Sequence, residues 1–141
     1  MAGVRHVVFR LEKDRYALPL SAIREVVVAP EAYTRVPRAP ASVKGVMNLR
    51  GRVVPVVDLR ELMGLAPSSP GSRVVLLDLG RRELGLLITE VDGIESIEKV
   101  ASQAARAGPM VKGLARLGAL AITVLDPTAV DAEVARSFTS R

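Results

Sequence analysis

Residues 43–59 read Val43-Lys44-Gly45-Val46-Met47-Asn48-Leu49-Arg50-Gly51-Arg52-Val53-Val54-Pro55-Val56-Val57-Asp58-Leu59. Two Val-rich runs flank a polar tetrad, Asn48-Leu49-Arg50-Gly51. β-Branched residues suit a pleated, half-buried surface, and glycine reaches the positive φ of a tight turn. The stretch therefore predicts a hairpin: a strand over 46–50, a turn at Gly51, and a strand over 53–57. Asp58 then opens "DLRELMGL" as a short helix, with its carboxylate as the N-cap. A tight turn explains Gly51 and leaves Arg50 unexplained.

Outward from the hairpin the same texture continues. Val4 to Leu11 is a run of β-formers, "EKDR" is a turn, and Tyr16 to Leu20 returns as a strand. Ser21 is placed to cap a short helical turn through Ile23 and Glu25 that leads into the strand Val26-Val27-Val28. Pro30, Pro37 and Pro40 make 29–42 a long irregular loop, and "APSSPGS" (66–72) reads as a linker.

Sliding the chain against itself by 68 residues shows its organisation. "VKGVMNLRGRVVPVVD" (43–58) falls without a gap on "VKGLARLGALAITVLD" (111–126). Upstream, Phe9-Arg10-Leu11 falls on Leu77-Asp78-Leu79 and Leu18 on Leu86. The chain is thus two copies of one unit of about five short strands, with a first barrel subdomain over 4–65 and a second over 72–133. Closing such a unit into a small barrel removes exposed strand edges, and two barrels packed together share an apolar seam.

The duplication acts as an internal control. Val-Lys-Gly, the apolar strand and the closing Asp occur in both copies and are assigned to the fold. Asn48, Arg50 and Gly51 become Arg116, Gly118 and Ala119, and Glu25 becomes Gly93. Arg50 is therefore expected as a surface group whose rigid fork binds a carboxylate, either of a partner or of Glu25.

Composition bounds the remaining possibilities. The 141 residues are 49% hydrophobic and 25% charged, with no cysteine and 3% aromatics. This describes one globular domain with an aliphatic core, no thiolate metal site and no Cys nucleophile. No signal peptide or run of transmembrane length is visible, so a cytoplasmic protein without membrane insertion is expected. The formal charge of +5 is scattered; Arg81-Arg82 and the spaced set Arg50, Arg52, Arg60 read as a solvated face. One histidine, His6, lies in the first strand as a half-buried or exposed structural residue. No nucleophile elbow, metal-ligand spacing or phosphate loop occurs, so no catalytic residue, metal or cofactor is assigned. A nucleic-acid-binding barrel is the alternative, but Phe9, Tyr16, Tyr33 and Phe138 do not interleave with basic residues.

"VKGVMNLRGRVVPVVDLRELMGL" and "LDLGRRELGLLITEVDGI" resemble the CheW-like domains, the coupling proteins of bacterial chemosensory arrays, and the resemblance runs from about Val7 to Val130. It implies an all-β fold: two five-stranded SH3-like β-barrels in pseudo-symmetric packing, with short helices and a chain crossing near the termini. It also implies a single domain over 1–141 acting as a non-enzymatic adaptor. The implied partners are the regulatory domain of a CheA-type histidine kinase, the cytoplasmic tip of methyl-accepting chemoreceptors, and other CheW-like domains, at membrane or cytoplasmic receptor arrays. By position, Glu25, Gly45, Asn48, Arg50 and Gly51 match the partner-binding motif. Ile23, Val26 and Ile94 match apolar positions of a receptor groove between barrels. The Ala-rich 97–110 segment is shorter than the family pattern, which puts contacts made there in doubt.

Overall fold

The computed structural model describes residues 3–102 and 108–139, so 103–107 of the Ala-rich segment lie outside the described residues. Ten strands follow one another: β1 (Val4–Leu11), β2 (Asp14–Pro19), β3 (Ile23–Val28), β4 (Val43–Leu49), β5 (Arg52–Asp58), β6 (Arg73–Asp78), β7 (Glu83–Ile88), β8 (Glu90–Ile97), β9 (Val111–Leu117) and β10 (Leu120–Leu125). Helix α1 (Leu59–Leu62) follows β5 and helix α2 (Pro127–Thr139) follows β10. Asp58 caps α1 by accepting from the Arg60 N–H at 3.0 Å, and Asp126 caps α2 from Thr128 at 3.0 Å and Ala129 at 3.3 Å. Between β2 and β3 the chain makes a 3-10 turn over Leu20–Ala22 with no side-chain cap, so Ser21 does not cap it and Glu25 lies on a strand.

The strands form two five-stranded sheets, ordered β8-β1-β2-β10-β9 and β3-β6-β7-β5-β4. The 68-residue offset converts the second order into the first, strand for strand. The registers agree as well. Val56 lies opposite Gly85 in the parallel β5–β7 pair, and Val124 opposite Ala17 in the parallel β10–β2 pair. Even the bulges repeat, at Arg24 and Asp92 and again at Lys44 and Lys112.

Neither sheet coincides with 4–65 or 72–133. The β1–β2 hairpin joins β8, β9 and β10 of the second half, and the β6–β7 hairpin joins β3, β4 and β5 of the first. The duplication is real, but its two units exchange their first hairpins. Exchange leaves β1, β2, β6 and β7 at the sheet centres, buried on both faces. Along β1, Val7, Phe9 and Leu11 enter a cluster shared by both sheets, and Val8 faces a separate cluster within its own sheet. Met47, Val54 and Leu76 build the matching cluster of the other sheet. Strand alternation thus fills three apolar layers from one central set of strands.

The end strands of each sheet carry no ladder between them among the described residues. The sheet ends meet through a single bridge instead: Thr34, beyond β3, with Val46 of β4, and Ala101, beyond β8, with Leu114 of β9. Gly45 and Gly113 allow that approach. A Cβ on either would stand 2.3 Å from the carbonyl oxygen of Thr34 or Ala101. This is why Val-Lys-Gly occurs twice.

Candidate functional site

The β4–β5 hairpin closes at Leu49 and Arg52, leaving Arg50 and Gly51 as its two turn residues. Both have positive φ, 50° for Arg50 and 83° for Gly51, the combination of a two-residue turn that follows the strand twist. The Asn48 side-chain oxygen accepts from the Gly51 N–H at 3.0 Å and fixes the turn. For an arginine, the left-handed region costs about 1–2 kcal/mol. The second copy has glycine at the matching position, Gly118, with φ 61°. The strained residue is therefore particular to the first copy.

The Arg50 guanidinium reaches across to β3 and donates to Glu25. The arginine side chain is 59% exposed and the glutamate 32%, so the pair contributes at most about 1 kcal/mol and stays accessible to another carboxylate. Glu25 follows the bulged residue Arg24, which points into a second charged group. Arg24 meets Asp78 at 3.3 Å and Glu83 at 3.2 Å, and Arg52 meets Glu83 at 2.9 Å. One end of this sheet thus gathers Arg24, Glu25, Arg50, Arg52, Asp78 and Glu83.

The other sheet carries the same group with its signs reversed. Asp92, the equivalent of Arg24, meets Arg10 at 3.1 Å and Arg15 at 2.8 Å, and these occupy the positions of Asp78 and Glu83. Sequence reading passed over this pair of clusters. The signal was nonetheless in the offset comparison, where Arg24 falls on Asp92, Arg10 on Asp78 and Arg15 on Glu83.

Asn48, Arg50, Gly51 and Glu25 are brought together. Gly45 belongs to the bridge to Thr34 instead, at the far end of β4. Ile23 and Val26 are partly buried against the central cluster. Ile94, the positional equivalent of Val26, is 49% exposed on β8 of the other sheet. His6 is buried, its Nδ1 2.8 Å from the Val4 carbonyl, rather than half-buried or exposed.

Arg60 also departs from expectation: it is not on a solvated face but buried. Its fork meets Asp58 in two parallel contacts of 3.0 Å, and one arm continues to Glu12 at 3.1 Å and Ser69 at 3.2 Å. Burial opposes the charge, but hydrogen bonds and attraction from Asp58 and Glu12 outweigh it and hold the Arg60 pKa above its ordinary value. Glu12 sits in the β1–β2 turn at φ 61°, where the second copy has Gly80. Its carboxyl lies below the usual range, chiefly through the Ser68 hydroxyl. This group pins the first hairpin to α1 and the 66–72 connection. Among the described residues, no group of three or more His, Cys, Asp or Glu is placed to hold a metal ion, and no helix is long and apolar enough to cross a membrane.

The chain is a duplicated, two-sheet β protein with an ion-paired hairpin tip in one copy. The chain belongs to the CheW-like domain family, whose family model matches residues 5–133. It is 31% identical over 93 residues to a protein of Rhizobium etli called "Probable chemotaxis protein CheW", covering 64% of this chain and 59% of that one. It is 28% identical over 123 residues to the chemotaxis protein CheW of Thermotoga maritima, covering 84% and 81%. The scaffolding protein TtCheW of Thermoanaerobacter tengcongensis superposes with a TM-score of 0.79 at 25% identity, covering 88% of this chain and 89% of that one. Its alignments span 59% and 62% of the Rhizobium etli and Rhizobium meliloti relatives, about three fifths of their length.

Proposed function

We propose that this chain is a non-enzymatic adaptor that couples the cytoplasmic tips of chemoreceptors to the regulatory domain of a CheA-type histidine kinase. It would work in the cytoplasm at receptor arrays. The observation that carries this reading is Arg50, an exposed non-glycine residue held at positive φ beside a partly buried carboxylate, where the equivalent turn uses glycine. Glu12, also at positive φ opposite a glycine of the second copy, is tied to buried Arg60, whereas Arg50 is mostly exposed and meets only Glu25, which supports a role beyond folding. Glu25 orders the fork, and Asn48 and Gly51 fix the turn that presents it. Membership of the CheW-like family and likeness to a protein described as a scaffold support the same reading.

The nucleic-acid alternative lacks its stacking surface. Phe9 and Tyr16 stack on each other in the core, ring centroids 6.4 Å apart, and Tyr33 is partly buried against the second sheet's interior.

Size-exclusion chromatography with the regulatory domain of the cognate CheA-type kinase is the test. A stable complex is expected, with no phosphate transferred to this protein. Failure of that domain to shift the elution, with tight binding of single-stranded DNA at physiological salt, would replace the adaptor reading by the nucleic-acid one.

A further inference from the structure

The loop between β3 and β4 and the first residues of β4 enclose an open cleft of about 490 Å³. Three of its lining residues are cations, Arg35, Arg38 and Lys44, and none is acidic. Among the described residues none of the three has an ion-pair partner. Arg10, Arg15, Arg24, Arg50, Arg52, Arg82 and Arg136 each hold a carboxylate, whereas Arg5, Arg73, Arg81 and Arg116 hold none among the described residues but do not line one cleft together. Concentrated unpaired positive charge is the exception in this molecule.

The cations are also held in place. Arg38 occupies a turn closed by the Ala39 N–H on the Val36 carbonyl at 3.4 Å, with Pro37 before it. Its φ is 60°, a conformation that position usually gives to glycine or asparagine. Lys44 is the bulged residue of β4 and is exposed, with Gly45 packed against Thr34 directly behind it. Pro37 and Pro40 limit the loop's freedom, so less order is lost when a ligand engages it. Val36, Val43 and the two prolines supply apolar surface between the charges. Lys44 also borders the neighbouring cleft that holds Glu31, without an ion pair to it.

We infer that the Arg35–Arg38–Lys44 cleft is a docking site for an extended acidic segment of a partner protein, with apolar side chains interspersed among its carboxylates. An open, solvated cleft without converging backbone donors gives a compact anion little that water does not. A segment carrying several carboxylates on one backbone can match several cations at once, and its apolar side chains can cover Val36 and Val43. Lys44 and Arg50 lie at opposite ends of β4, about 20 Å apart along an extended strand. This surface is therefore separate from the hairpin tip.

Fluorescence anisotropy with a short synthetic peptide alternating glutamate and valine tests the inference without reference to any kinase or receptor. Binding is expected at low salt, weakened about tenfold or more in Arg35→Glu/Arg38→Glu and by less than about twofold in Arg81→Glu/Arg116→Glu, an equal charge reversal at two exposed arginines outside the cleft. Arg38→Gly, which suits the turn's backbone, should keep the melting temperature and still lower the affinity. Equal loss in Arg81→Glu/Arg116→Glu, or unchanged binding in Arg35→Glu/Arg38→Glu, would overturn the inference. So would equal binding of the matching glutamine–valine peptide, full displacement by millimolar inorganic phosphate, or tighter binding of a single-stranded oligonucleotide.

Discussion

At Arg50 three physical facts meet: an always-charged fork, an unfavourable backbone region and a carboxylate within reach on the next edge strand. Replacing it by glycine removes the first and third and relieves the second. Arg50→Gly should therefore melt within about 1 kcal/mol of the parent, since relief of the left-handed conformation offsets the loss of an exposed ion pair. Arg60 behaves differently because it is buried. Arg60→Met strands Asp58 and Glu12 without their counter-charge and should cost about 3–5 kcal/mol, read as a lower midpoint in urea. Arg50, Asn48, Gly51 and Glu25 were legible because the second copy lacks all four. Arg60 was not, because its burial depends on Glu12, Ser69 and Thr89, which only the folded chain brings beside it.

At the scale of elements, strand positions follow from Val-rich runs and the turns from their Gly and charged residues. What periodicity does not contain is the bulges and what they aim. Arg24 and Asp92, each one residue out of register, turn toward opposite charges on neighbouring strands, and Lys44 and Lys112 precede the glycines of the two bridges. Asp126, the closing Asp of the second copy, caps helix α2, whose length rests on Val130 and Val134, which pack into the central cluster. The bridge glycines provide a matched test. Gly45→Ala and Gly113→Ala should each destabilise by about 1–3 kcal/mol, because a Cβ collides with backbone in either place. Gly45, at φ 137°, adds a backbone strain that Gly113 lacks, so Gly45→Ala should be the costlier of the two; a thermal melt unchanged in Gly113→Ala would show that its bridge tolerates a Cβ.

For the whole molecule, the repeat was visible in the sequence, but the exchange of hairpins was not, since a 68-residue offset is the same whichever partner each hairpin chooses. In the folded chain β6–β7 separates β3 from β5, and β1–β2 separates β8 from β10. Residues 1–65 alone therefore retain two hairpins and no complete sheet. That fragment should show no cooperative melt, and adding residues 66–141 should restore strand signal by circular dichroism; independent folding of 1–65 would contradict the exchanged topology. Exchange also makes each half depend on the other, so the whole chain should melt in one cooperative step. Whether the hairpin tip serves binding rather than folding is read by isothermal titration of the cognate kinase regulatory domain into parent and Arg50→Gly protein. Arg50→Gly should lose about tenfold or more in affinity and melt within a few degrees of the parent, whereas equal affinity for the two proteins, or a variant that unfolds, would assign Arg50 to the fold.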